Sequence, residues 1–159
     1  MEALGSTRTI ELTKLAMDGL LMRQQAISTN TANVNTPDYQ RKQVAFEDQL
    51  RNIIQKEDLK SDIRRSNSAA MSYQATSLDQ IQRPTDTQMS ILNQNSFQAY
   101  KPEIISDMAD ANPETGNNVE IEKEMMDMAK TGTQYAILAN LESKMLSGLS
   151  EVIKGTTGA

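Results

Sequence analysis

The stretch "NTANVNTPDY", residues 30–39, decides how the first part of this chain folds. It follows a run of good helix formers and must end any helix that reaches it. Pro37 lacks a backbone N–H and pushes Thr36 out of the α region. The asparagine side chains can cap the backbone groups that the ending helix leaves free. We therefore predict a helix over about residues 6–33, followed by a turn.

Apolar and small residues recur along this predicted helix at alternating steps of three and four. That spacing is one seam of a 3.5-residue repeat, the pattern of helices that pack side by side. Further apolar residues widen the face, which predicts more than one packing neighbour. The seam consists of Leu12, Leu15, Gly19, Met22, Ala26 and Thr29.

A second long helix is predicted from "GNNVEIEKEMMDMAK" onward, with Asn117 as its N-cap and Glu120 three residues later. Such a helix cannot bury its own apolar surface, so it needs the N-terminal helix as a partner. A hairpin within one molecule and packing between molecules would produce similar seams, and both interpretations stay open. The seam consists of Ile121, Met125, Met128, Gly132, Tyr135, Ala139, Glu142, Leu146, Leu149 and Ile153.

The predicted fold class is mainly α, with the two long terminal helices packed as an antiparallel coiled coil. Residues 1–35 form the N-terminal amphipathic helix, 36–56 a turn and a short helix, and 116–159 the C-terminal amphipathic helix. Residues 57–115 are polar and have too few large apolar side chains for a core of their own. We expect this middle segment to be extended or partly disordered, with a short strand or two in residues 71–88.

The composition argues against most chemistry. The chain has 159 residues, a net charge of −5, and neither Cys nor His, which removes thiol and imidazole groups. Acidic and basic residues are mixed, which argues against nucleic-acid binding. No window is apolar enough for a membrane span, and the N-terminus does not resemble a Sec signal peptide. We predict no catalytic residues, no metal and no cofactor.

An acidic cluster precedes Gly116 and requires a separate test against metal binding. An EF-hand loop needs Gly at its sixth position and Glu at its twelfth. Counting from Asp110 puts Thr115 and Ile121 at those positions, so the loop pattern fails and a solvated loop is the prediction. The cluster consists of Asp107, Asp110, Asn112 and Glu114.

Both ends of the chain carry a family resemblance. "STNTANVNTPDYQRKQVAFED" resembles the N-terminal signature of the bacterial flagellar rod, hook and hook–filament junction family, in which a long helix ends in an Asn-Ile-Ala-Asn-Ala-Asn-Thr-Pro-Gly-Tyr type motif. Thr31 stands where Ile or Leu is usual, and Asp38 where Gly is usual. "GNNVEIEKEMMDMAKTGTQYAILANLESKML" is similar to the closing helix of that family. The opening matches are Asn30, Ala32, Asn33, Asn35, Thr36, Pro37 and Tyr39, and the closing ones are Gly116, Asn117, Val119, Glu120, Glu124 and Tyr135.

The resemblance implies a structural subunit that polymerises helically into the axial drive shaft of the flagellum, with its terminal helices lining the inner tube. The short length and "YQRKQVAF" are similar to the proximal-rod subunits. Implied partners are further copies of the chain, neighbouring rod proteins, the FliE-type adaptor between membrane ring and rod, and the export gate. Implied localisation is the rod in the periplasmic space, reached through the flagellar type III apparatus without a Sec signal. The residues expected to pack in the assembly are Leu15, Met22, Ala26, Ile121, Met125, Met128, Tyr135, Ala139, Leu146, Leu149 and Ile153.

Two alternatives compete with this interpretation: another rod protein of the same family, and a soluble helical adaptor or export chaperone that binds by helix-in-groove contacts. The adaptor would explain the amphipathic ends and the acidic pI of about 4.8. It does not explain two terminal signatures in this order.

Overall fold

The computed structural model describes residues 2–72, 85–93, 96–107 and 111–156. It confirms a mainly α fold with long helices at both ends. Contacts divide the chain into two compact units, residues 1–47 with 101–159 and residues 48–100. The elements in chain order are α1 (Glu2–Ala32), β1 (Lys42–Ala45), α2 (Glu47–Ser72), α3 (Asp86–Asn93), a 3-10 helix (Ser96–Ala99), β2 (Glu103–Ser106) and α4 (Ile121–Thr156).

Helices α1 and α4 run along each other in opposite directions. Asn30, near the end of α1, contacts Glu124, near the start of α4. Ala16, earlier in α1, lines the same cavity as Leu138, which lies further along α4. At about 1.5 Å per residue the 36 residues of α4 span roughly 54 Å. A helix of that length has far more surface than this one neighbour covers.

The buried residues of the hairpin are spaced by seven. Thr13, Leu20 and Ile27 of α1 are each 5% exposed or less, and Glu124 and Thr131 of α4 are 0% and 2% exposed. Each set lies one residue to the side of a predicted seam, and Gly19 and Ala26 of the α1 seam are buried as well. On α4 the buried residues Glu124 and Thr131 are polar, which an apolar pattern does not reveal. The spacing is that of a coiled coil, but the supercoil itself stays a prediction.

A two-stranded antiparallel sheet lies beside the hairpin. Lys42 pairs with Ser106 and Ala45 with Glu103, so the two strands match along their whole length. Val44 and the following Phe46 are 4% and 5% exposed, and full burial of such side chains contributes about 1.5–3 kcal/mol each. The sheet joins the segment that leaves α1 to the segment that approaches α4.

The unit formed by residues 48–100 contains most of α2, together with α3 and the 3-10 helix. Ile53 and Ile63 are buried on α2, and Ser96 is buried at the start of the 3-10 helix. Lys60 is also buried, and its ammonium pairs with the carboxylate of Glu57 at 2.6 Å. The pair lies one helical turn apart, which is the spacing at which such side chains meet.

Two local predictions differ from the structure. The helix after the turn continues to Ser72, well beyond the predicted boundary at residue 56, because its polar Glu, Lys, Arg and Asp residues are mostly compatible with a helix. The prediction of Asn117 as N-cap is wrong, since α4 begins four residues later at Ile121. The strand predicted within residues 71–88 falls mainly on residues 73–84, outside the described residues, and α3 begins at Asp86.

Candidate functional site

Asn30 closes one edge of the sheet with its side-chain amide. Its Nδ2 donates to the backbone oxygen of Lys42 at 2.8 Å, and its Oδ1 accepts from the Lys42 backbone N–H at 2.8 Å. The same Oδ1 accepts from the hydroxyl of Tyr39, and Nδ2 also donates to Glu124. Asn30 is 0% exposed. The amide thus replaces a neighbouring strand and fixes β1 to the end of α1.

Arg41 is a buried cation that faces three carboxylates. Its Nε donates to Glu124, which is completely buried, and its other nitrogens donate to Asp127 at 2.8 Å and Asp107 at 3.5 Å. Burial lowers the pKa of Arg41, but the hydrogen bond and charge of Glu124 outweigh that effect, so the net pKa lies above its usual value. The guanidinium therefore stays charged and ties the segment after α1 to β2 and α4.

Asn117 caps the end of α1 from the other end of the chain. Its Nδ2 lies within 3.0 Å of three carbonyl oxygens, those of Asn33, Val34 and Thr36. These belong to the last turn of α1 and the bend after it, where carbonyls lack helical partners. Its own Oδ1 accepts from the backbone N–H of Val119 at 2.7 Å. One amide thus satisfies groups that the helix end would otherwise leave free.

Asn118 bridges the two strands where they diverge. Its Oδ1 accepts from the backbone N–H of Arg41 at 2.6 Å, and its Nδ2 donates to the backbone oxygen of Asp107 at 2.6 Å. We define the polar junction as the residues that meet here from α1, both strands and the start of α4. They are Asn30, Arg41, Asp107, Asn117, Asn118, Glu124 and Asp127.

The turn after α1 lies so close to the loop before α4 that a Cβ at residue 116 would force the side chain of Asp38 to shift. Gly116 has φ of +66°, and a Cβ there would lie 2.2 Å from Oδ1 of Asp38. The N–H of Asp38 donates to the carbonyl of Thr115 at 2.8 Å. Asp38 itself has φ of 56°. It therefore adopts the left-handed conformation that glycine allows in related motifs, in spite of its Cβ.

Replacing Asp38 with glycine is expected to raise the free energy of unfolding by about 0.5–1 kcal/mol, since glycine relieves the left-handed strain. The measurement is urea denaturation of the full chain. Asp38→Ala is the matched control, because alanine keeps the Cβ and tolerates this φ less well than Asp. An equal gain in both variants would show that removal of the carboxylate, and not the backbone conformation, is responsible.

Arg23 links α1 to the end of β1 and the start of α2. Its guanidinium donates to the backbone oxygen of Val44 at 3.0 Å, pairs with Glu47, and stacks 4.7 Å from the ring centre of Phe46. Burial raises the pKa of Glu47, but the hydrogen bond from Arg23 outweighs it and the net pKa is lowered. These contacts hold the end of β1 and the adjoining Glu47 against α1.

The chemistry of the polar junction is structural. Its one cation is engaged by carboxylates, and its three amides are engaged by backbone groups. Within the ranges that the structure describes, no group of three or more His, Cys, Asp or Glu side chains could hold a metal ion. No helix in those ranges is long and apolar enough to cross a membrane. Half of the residues that line a cleft of about 290 Å³ beside the junction are cationic, among them Lys42, Lys123 and Lys130.

The outer surface of α4 carries an apolar stripe. Starting at Met125, every seventh residue is apolar or small, and such residues lie close to one line along a helix. Met125, Leu146 and Ile153 are 67%, 50% and 58% exposed. We call this set the α4 stripe. It consists of Met125, Gly132, Ala139, Leu146 and Ile153.

The structure brings together some of the predicted site residues and separates others. Of the opening motif, Asn30 is buried in the polar junction, Asn33 and Tyr39 are half-buried, and the remaining four are exposed at the turn. Of the predicted packing residues, Ala26 is buried, and Leu15, Met22, Ile121, Met128, Tyr135, Ala139 and Leu149 are half-buried. Met125, Leu146 and Ile153 are exposed in the single chain, so their burial in an assembly stays a prediction.

Sequence reasoning missed the charged centre of the junction. Sequence reasoning did not single out Arg41, and it named Glu124 only as one of the matches to the closing family signature. One signal was present: Glu124 and Thr131 are seven residues apart, and so are Thr13, Leu20 and Ile27 on α1. A polar residue in register with such a repeat indicates a buried polar contact. Its partner, however, lies 83 residues away, which no local pattern reveals.

Comparison with known proteins agrees with the terminal signatures. No protein-family model matches the chain. Three curated proteins are similar to it, each named flagellar basal body rod protein FlgB. They come from Borreliella burgdorferi (24% identical over 147 residues), Borrelia hermsii (27% over 146) and Bacillus subtilis (25% over 149). Each comparison covers 92% of this chain and 94–96% of the relative. These matches run along nearly the whole chain, and together with both signatures and both long helices they support a resemblance to the FlgB-type flagellar basal body rod proteins.

Proposed function

We propose that this chain is a structural subunit of the proximal rod, which polymerises helically with other rod proteins into the axial drive shaft of the flagellum. In this role it transmits torque, continues the export channel and catalyses no reaction. Its partners are further copies, neighbouring rod proteins, the FliE-type adaptor and the export gate. It reaches the periplasmic space through the flagellar type III apparatus.

The α4 stripe is the observation that carries this proposal. The hairpin within one chain uses the face of α4 that contains Glu124 and Thr131, and it leaves Met125, Leu146 and Ile153 of the stripe 50–67% exposed. Isolated exposed apolar residues are ordinary, but a row of them along a long helix marks an interaction surface. The stripe therefore needs a neighbouring molecule.

The position of the stripe favours a polymer over a closed pair. The contact is heterologous if a docking surface on one side of the hairpin meets a different surface of the next molecule. Repetition of such a contact produces a helical filament when the rotation does not close into a ring. A polymer of this kind requires every copy to have the same shape. The polar junction supports that requirement, because Arg41 and Asn117 fix the exit of α1 relative to the start of α4.

The experiment compares two adjacent methionines. Met125 and Met126 are both 67% exposed, but only Met125 belongs to the α4 stripe. Because both side chains are exposed, lysine at either position is expected to change folding stability by less than about 0.5 kcal/mol. We expect Met125→Lys to be absent from purified basal bodies and to abolish motility, and Met126→Lys to assemble.

Each outcome is informative, provided that both variants accumulate to the level of the unaltered chain. Normal assembly of Met125→Lys would contradict docking through the stripe. If both variants were absent from purified basal bodies, an added charge anywhere on this turn of α4 would block assembly. The experiment would then not support docking through the stripe.

A further inference from the structure

An apolar pocket of about 290 Å³ lies between α1, α4 and the segment that follows β1. Five of its seven lining residues are apolar, and they come from all three of these parts of the chain. Ile137, which lines the pocket, is 61% exposed. We call this cavity the Phe46 pocket, after the buried ring that it contains. Its apolar residues are Ala16, Leu20, Phe46, Ile137 and Leu138.

The Phe46 pocket and the α4 stripe lie on different sides of α4. Ile137 and Leu146 are nine residues apart, which is two and a half turns at about 3.6 residues per turn. Both side chains are at least half exposed, and they point to opposite sides of the helix. One subunit thus offers two separate apolar surfaces, which is what a heterologous contact between copies requires.

Basic residues lie next to the Phe46 pocket. Arg23, which stacks on Phe46, also lines the cleft that contains Lys123 and Lys130. Asp127 lies between these two lysines in sequence, but its carboxylate accepts from the guanidinium of the polar junction. Both lysines are exposed, and no carboxylate within the described part of the chain pairs with either of them. The pocket therefore has positive charge beside it that the subunit does not itself neutralise.

An acidic residue lies beside the α4 stripe. Glu142 precedes Leu146 by about one helical turn, and both line one groove on α4. No basic side chain in the ranges that the structure describes pairs with Glu142. Glu151 lines the groove as well, but Lys154 follows it by three residues and can offset its charge. The net charge that the stripe brings to a contact is therefore that of Glu142.

We infer that the Phe46 pocket receives the α4 stripe of a second copy of this chain, with Leu146 of that copy in the pocket and its Glu142 against Lys130. The inference rests on the proposed function, in which copies repeat along one axis. It identifies the occupant by apolar contact and by opposite charge, since complementary charges fix the register of an interface. Helical repetition keeps every copy pointing the same way along the axis, so neighbouring α4 helices run parallel.

The order of these residues fits parallel helices. Lys130 precedes Ile137 of the pocket by seven residues, or about 10.5 Å along the axis. Glu142 likewise precedes Leu146, by four residues or about 6 Å. The difference of about 4.5 Å is within the reach of the flexible four-carbon stem of lysine. Antiparallel helices would direct Glu142 away from Lys130.

Cysteine cross-linking in purified basal bodies tests the contact. The chain has no cysteine, so a variant with Ile137→Cys and Leu146→Cys has two thiols only. These cannot join within one copy, because their Cα atoms are about 14 Å apart and a disulfide spans less than about 7 Å. We expect oxidation to produce dimers, trimers and longer species from the double variant, and monomers from each single variant. Met126→Cys with Leu146→Cys is the matched control and should stay monomeric.

The alternative results of this experiment overturn the inference. Dimers from Leu146→Cys alone would mean that stripe meets stripe across a two-fold axis. Monomers from the double variant, when it is present in basal bodies, would mean that the pocket does not face the stripe of a second copy. Absence of the unaltered chain from basal bodies would instead contradict the proposed function, and the inference would fail with it.

An exchange of charges tests the same contact without cysteine. Lys130→Glu and Glu142→Lys are each expected to lower the amount of the chain in basal bodies by about ten-fold or more, because each sets like charges against each other. The two changes together should restore that amount to within about two-fold. Within one helix the two residues lie about 18 Å apart, beyond the screening length of about 8 Å at physiological salt. Restoration therefore indicates a contact between copies.

Lys130→Glu combined with Glu122→Lys is the matched control for the exchange. It keeps the same net charge, but Glu122 lines neither the pocket nor the groove, so we expect no restoration. Equal restoration by both combinations would mean that net charge alone controls incorporation. That result, or a failure of Glu142→Lys to restore Lys130→Glu, would contradict the pairing.

Discussion

Arg41→Met is expected to lower the free energy of unfolding by about 3–5 kcal/mol, the usual cost of removing one partner from a buried ion pair. Methionine preserves much of the length and apolar stem of the side chain. What is lost is the charge that compensates Glu124, whose side chain is 0% exposed, and Asp107 and Asp127 beside it. The measurement is urea denaturation of the full chain, followed by circular dichroism.

Arg51→Met is the matched control for this experiment. Arg51 pairs with Asp48 at 2.9 Å, but both side chains are mostly exposed. Exposed pairs contribute about 0–1 kcal/mol to stability, so the free energy of unfolding of this variant should be close to that of the unaltered chain. If both variants lost the same small amount of unfolding free energy, Arg41 would contribute no more than a surface charge. The polar junction would then not be what holds the two long helices together.

Leu146→Asp is expected to abolish incorporation into the rod without preventing accumulation of the chain. Leu146 is 50% exposed on the α4 stripe, and it borders a shallow groove with Ala139 and Ser150. A carboxylate there would have to be buried without a partner when a neighbouring apolar surface docks, which is costly. The measurements are the content of purified basal bodies and the motility of cells that produce only the variant.

Asn140→Asp is the matched control for Leu146→Asp. It introduces the same charge at an exposed residue of α4 that neither belongs to the stripe nor lines this groove, and we expect that variant to assemble. If Leu146→Asp entered the rod and supported motility, the packing proposal for α4 would fail. The free energy of unfolding of the unassembled Leu146→Asp subunit should lie within about 0.5 kcal/mol of that of the unaltered chain, as for other exposed positions.

The long elements of this fold were predictable because their signals are local. Pro37 stops the helix through the local backbone, whatever the tertiary contacts are. Apolar residues that recur at alternating steps of three and four predict helices that pack side by side. The terminal signatures added the resemblance to flagellar rod proteins, and the comparisons find FlgB-type relatives along nearly the whole chain. For the same reason the predicted boundaries of α1 were close to Glu2–Ala32.

The polar junction was not predictable in the same way, because its partners are far apart in sequence. Asn117 looked like an N-cap, since an acidic helix follows it, but its amide is used by the end of α1, 81 to 84 residues earlier. The polar middle was also misjudged in its first part. Low apolar content predicts the absence of a large core, but it does not prevent a continuous helix such as residues 57–72 of α2.

The distance between Asn117 and the end of α1 also has a consequence for the order of synthesis. A nascent chain that has emerged only through α2 lacks both the amide that caps α1 and the carboxylate of Glu124 that faces Arg41. Contacts of such long range form late, because a large loop must close first. We therefore expect the end of α1 and the Arg41 segment to gain these contacts only after the chain has been made as far as Glu124.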